Sequence, residues 1–102
     1  MDLAAEFTEA LRGTYKAARQ RGYVATYFLQ MLEEHGGVET AKRLLAKSEP
    51  QAGLFELWQL NLLHESMETV VLQDKFNSLF ADDELAEAHR RLEELGYFQE
   101  GK

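Results

Sequence analysis

Apolar residues recur every three or four positions along almost the whole chain, the spacing of a helix with one buried face. Leu3, Phe7, Leu11, Tyr15 and Ala18 mark a first helix that Gly22 stops. Val24, Tyr27, Phe28, Met31, Leu32 and His35 mark a second, ended by the turn Gly36-Gly37. Val38, Ala41, Leu44 and Leu45 form the inward stripe of a third, running to about Lys47. Acidic residues open the first and third helices and basic residues close them, which suits the helix dipole.

Ser48-Glu49-Pro50-Gln51-Ala52-Gly53 is the clearest break and holds the only proline. Its length fits a helix–helix connection inside one domain. Beyond it, Leu54 to Leu63 is apolar nearly all round, which predicts a buried central helix containing Trp58. Ser66 is placed to cap a short helix with Met67, Val70, Val71 and Leu72 inward. Asp74 opens a turn holding Phe76, Leu79 and Phe80. Asp82 is expected to cap the last helix, with Leu85, Ala88, His89, Leu92 and Leu95 inward. Gly96 fits its left-handed close, and Tyr97 can pack back on it.

No useful stretch alternates with period two, and no internal repeat appears. The expected fold is all-α: a compact bundle of five or six short helices in one domain, residues 1–102. A chain of 102 residues supports one modest core.

The absence of cysteine excludes a disulfide scaffold, a cysteine-based zinc finger and a thiol nucleophile. Eleven basic against 18 acidic residues give a net charge of −7, which disfavours generic nucleic-acid binding. No apolar run is long enough for a membrane span. The opening Met1-Asp2-Leu3-Ala4-Ala5-Glu6 lacks the basic and apolar regions of a signal peptide, so a cytoplasmic location is expected.

Catalytic and metal chemistry find no motif. His64 with Glu68 and His89 with Glu93 are spaced as helix-surface neighbours. A metal site needs three or four converging ligands. Glu33-Glu34, Asp82-Asp83 and Glu93-Glu94 read as solvated pairs, and Ser48, Ser66 and Ser78 lie in no nucleophile elbow. Gly36-Gly37 lacks the further glycines and lysine of a phosphate loop. No catalytic residue, metal or cofactor is therefore expected.

The basic residues are more suggestive. Arg12, Lys16 and Arg19 share a face of the first helix, with Arg21 beyond, and Lys42, Arg43 and Lys47 cluster on the third. Adjoining, they would form a local phosphate-binding patch. A helix–turn–helix through Val38–Leu45 and Leu54–Leu60 is disfavoured, because its second helix lacks polar side chains to reach bases. DNA mimicry could draw on Glu33, Glu34, Asp82, Asp83, Glu84, Glu87, Glu93 and Glu94, but Arg90 and Arg91 sit at pairing distance from Glu87 and dilute that field. Tyr23, Tyr97 and Phe98, near helix ends, are the expected protein-contact residues.

Two stretches carry a resemblance. Tyr27 to Leu45 reads YFLQMLEEHGGVETAKRLL; the second comprises Leu54-Phe55-Glu56-Leu57-Trp58, Glu68-Thr69-Val70-Val71-Leu72 and Phe76-Asn77-Ser78-Leu79-Phe80. Together, over residues 23–97, they resemble a largely uncharacterised bacterial helical module that stands alone or beside nuclease-type domains. Its members often have proline where this chain has Ala25 and a capping threonine where it has Ala81. The resemblance implies no catalytic residue. It implies an accessory role near nucleic-acid processing or defence. The expected function is thus a non-enzymatic module that binds another protein, with nucleic-acid binding and DNA mimicry as alternatives. Oligomeric state is not legible.

Overall fold

A computed structural model describes residues 2–49 and 51–99; Pro50 of the expected break lies outside them. Five helices follow in order: α1 (Leu3–Gln20), α2 (Thr26–Leu45), α3 (Ala52–Gln59), α4 (Met67–Val71) and α5 (Asp82–Glu94). Short 3-10 turns lie at Leu63–Glu65 and Asn77–Leu79, and no strand occurs among the described residues. The all-α bundle expected from the periodicity is the observed fold. Its radius of gyration, 12.8 Å, is that of a compact domain of this length.

Asp2 caps α1 by accepting from the Ala5 N–H at 2.7 Å. Phe7 and Leu11 on its inner face are fully buried at the centre of the main core. The Phe7 ring meets Phe76 and Phe80 edge-on, at 5.3 and 5.2 Å between centroids. Leu32, Ala41, Leu45, Val70, Val71 and Ala88 complete that core from the other helices.

The Gly36-Gly37 turn divides α2 into two halves, and its glycines have different tasks. Gly36 takes φ 79°, a left-handed conformation inside the helix. Gly37 lets α1 approach: a Cβ there would stand 2.7 Å from Thr8 Cα. Its N–H donates to Thr8 Oγ1 at 2.8 Å, so α1 caps the second half of α2. The backbone N–H that a phosphate would use at Gly37 is therefore already satisfied.

Three helices close in the same way. After α1, Gly22 (φ 94°) donates to Arg19 O and Tyr23 to Ala18 O. After α5, Gly96 (φ 79°) donates to Glu93 O and Tyr97 to Leu92 O. After α3, the left-handed residue is Asn61 (φ 60°), and Leu62 donates to Leu57 O at 2.7 Å. Each is a Schellman close, with the following residue folded back over the last turn.

Several expectations need correction. The apolar segment from Leu54 to Leu63 is not one buried helix, because Asn61 breaks it. Only Leu54 and Leu57 of α3 are buried, while Phe55 and Trp58 are 46% and 42% exposed. An eight-residue helix packed on one side cannot bury its whole circumference. Val24 and Tyr27 are likewise exposed at the entry to α2, and His35 and His89 are exposed rather than inward. Asp82 is the first helical residue of α5, not its cap. The cap position is Ala81, which has no acceptor; only the reverse bond forms, from Ala81 N–H to Glu84 Oε1 at 2.9 Å. Asp74 caps no helix among the described residues, whereas Ser66 does cap α4, accepting from Thr69 N–H.

Candidate functional site

The polar centre of the molecule is Arg91, which the sequence suggests as a surface partner of Glu87. It is buried instead, 5% exposed. Its Nε donates to Glu87 Oε2 at 2.7 Å and its Nη1 to Glu68 Oε2 at 3.1 Å. Its Nη2 donates to the carbonyls of Leu44 at 2.9 Å and Lys47 at 3.1 Å. One side chain of α5 therefore holds α4 and satisfies the carbonyl end of α2, where the helix dipole favours a cation. Burial pushes the Glu68 carboxyl up, against the pull of Arg91. The hydrogen bond from Arg90, helped by Arg91 and opposed by partial burial, holds Glu87 down at about 2. This cluster has its hydrogen bonds filled from within and is a structural clamp.

Glu68 is thus turned away from His64, which lies in the 3-10 turn with Glu65 at 3.8 Å. His89 has Glu93 at 3.8 Å and stacks on Phe98 at 4.3 Å. No group of three His, Asp or Glu side chains that could hold a metal gathers among the described residues.

The basic residues are distributed unevenly. Arg12 donates to Glu33 at 2.7 Å, Lys42 to Glu84 at 2.8 Å and Arg43 to Glu39 at 2.9 Å. Carboxylates thus interleave with these three cations. Lys16 and Arg19 are exposed, Lys47 is half-buried, and no carboxylate among the described residues stands within 4.0 Å of any of them.

The aromatic side chains make the more distinctive surface. Phe55 and Trp58 lie together on the outer face of α3, centroids 5.2 Å apart. Beside Phe55 runs a groove of about 310 Å³ bordered by Ser48, Glu49, Arg90, Glu94 and Leu95. Tyr97 and Phe98 are both exposed and meet edge-on at 5.2 Å. Tyr23 is half-buried, packed on Ala18, Leu57 and Leu62, and offers less surface than its position suggests.

A second cavity, of about 340 Å³, opens between α1, the start and end of α2, and α3. Tyr15, Tyr23, Tyr27, Leu54 and Met67 wall it, with Lys47 also on its lining. No motif predicts this cavity; its walls come from four helices and two connections. The nearest signal in the sequence is three tyrosines within Tyr15–Tyr27.

No family model, curated protein or solved structure matches the chain. No helix among the described residues is long and apolar enough to cross a membrane.

Proposed function

We propose that the protein is a non-enzymatic interaction module that docks another protein on the outer face of α3. The observation that carries this reading is the Phe55–Trp58 pair, two large rings left partly exposed on a helix whose inner face is buried. Paired exposed aromatics bordered by charge are what interface hot spots are made of. Arg90 and Glu94 supply that border. Tyr97 and Phe98 add a second exposed aromatic pair at the close of α5. In this reading the resemblance over residues 23–97 favours a partner from a bacterial nucleic-acid processing or defence system.

The second reading, phosphate contact by the end of α1, draws on Lys16, Arg19 and Arg21, which no carboxylate among the described residues neutralises. The acidic-mimic reading has less support. Glu33, Glu84, Glu87 and Glu94 are each held by a lysine or arginine of the same chain.

The test is affinity capture from the native host, with and without nuclease, comparing wild type with a Phe55→Ala, Trp58→Ala double variant. The double substitution is expected to lower urea stability by about 1–3 kcal/mol and leave the fold intact, because the rings bury about half their surface but belong to no core cluster. A protein recovered despite nuclease and lost with the double variant supports docking on α3. Unchanged recovery would move the interface elsewhere. Recovery that needs nucleic acid, and falls steeply with salt, would favour the end of α1.

A further inference from the structure

The cavity between α1, α2 and α3 has the size and lining of a small-molecule site. Its volume of about 340 Å³ lies within the usual range of ligand pockets. Its walls are aromatic and aliphatic, from Tyr15, Tyr27, Leu54 and Met67. The Arg91–Glu68 clamp stiffens one side, since Glu68 lines the cavity while its carboxylate is already engaged.

Charge then narrows the ligand. Glu49 also borders the cavity, but it is exposed and keeps its water. Lys47 is half-buried, and no carboxylate among the described residues stands within 4.0 Å of its ammonium. An ammonium with no counter-ion beside an apolar cavity is the group there that an incoming anion can pair with. The backbone carbonyl of Lys47 accepts from Arg91 at 3.1 Å, which fixes the residue at the rim of the cavity.

We propose that this cavity binds a small, largely apolar monocarboxylate, its carboxylate held by Lys47 and its apolar body lodged against the tyrosine walls. A single cation matches a single negative charge better than a phosphate ester. The site is distinct from the outer face of α3, so neither proposal depends on the other.

The test is an amide-resolved NMR titration of the full chain with 3-phenylpropionate and with its neutral analogue 3-phenylpropanamide. Saturable shifts are expected at Thr14, Ala18 and Gly53, which line the cavity. The amide is expected to bind about tenfold more weakly, the order of one charge-assisted hydrogen bond. Lys47→Met should bring the acid down to the affinity of the amide, and Lys47→Arg should restore most of it. The proposal is overturned if the acid gives no saturable shift, or if the shifts fall only on Phe55 and Trp58. Equal binding of acid and amide by wild type overturns it too, and that comparison needs no variant to fold.

Discussion

At the scale of single residues, two side-chain environments govern the fold more than composition suggests. Arg91 is the first. Removing its guanidinium leaves Glu68 buried without a partner and the end of α2 uncapped, a loss of about 3–5 kcal/mol by analogy with broken buried ion pairs. Arg91→Met is expected to show this in urea titration near neutral pH. Burial raises the carboxyl pKa of Glu68 in the folded state, more so without Arg91. A raised folded pKa favours folding below the unfolded value and loses that gain as pH rises. The defect should therefore shrink on acidification from about pH 7 to about pH 5; a defect that stays constant would mean that Glu68 is not the group left stranded. Gly37 is the second. A methyl group there meets the Thr8 backbone at 2.7 Å, besides Thr8 Oγ1 and the Phe7 ring, so moving a side chain alone does not relieve it. Gly37→Ala is expected to cost about 1–3 kcal/mol, as overpacking does, measured by the same titration. Neither role is visible in sequence. An Arg three or four residues from a Glu reads as a surface pair, and only the packing of α5 on α4 buries it.

At the scale of elements, the periodicity located every helix, because each one buries a face. The closes at Gly22 and Gly96 were legible because glycine advertises a left-handed residue. The close at Asn61 was not, since asparagine serves many local roles, and missing it merged α3 with the following turn. Trp58 shares that cause: within a longer buried helix it would be core, but on a short one it faces water. The cap of α5 lies one residue before the expected Asp82, because Ala81 offers no capping chemistry and the adjacent aspartate does. This has a measurable consequence. Ala81→Thr would let a hydroxyl accept from the Glu84 N–H and complete the capping box. A gain of about 1 kcal/mol is expected, with a corresponding rise in Tm. No gain would mean that the existing Glu84 bond already fixes this end.

At the scale of the whole molecule, the stretch that carries the resemblance, residues 23–97, is not the folding unit. Phe7 and Leu11 of α1 lie at the centre of the core, and Thr8 caps the second half of α2. A fragment of residues 23–97 is therefore expected to lack a cooperative unfolding transition, whereas the chain with α1 unfolds in one step. Circular dichroism melts of both would decide it, and a cooperative melt of the fragment would make α1 an appendage. The cavity belongs to this scale too. Its tyrosines and Lys47 are ordinary residues in the sequence, and only the convergence of four helices gives them a common space.

The Arg91 clamp also bears on synthesis. Apart from Glu87 on its own helix, the residues it holds precede it by 23 to 47 positions, so they are made well before it. Until Arg91 emerges, the end of α2 has no cation to close it and Glu68 has no partner to draw it inward. A free truncated chain ending just before residue 91 should remain open to protease around residues 44–47, and the chain that includes α5 should resist. The last helix thus completes the bundle: the polar ends that the earlier helices leave open are satisfied only with Arg91 in place.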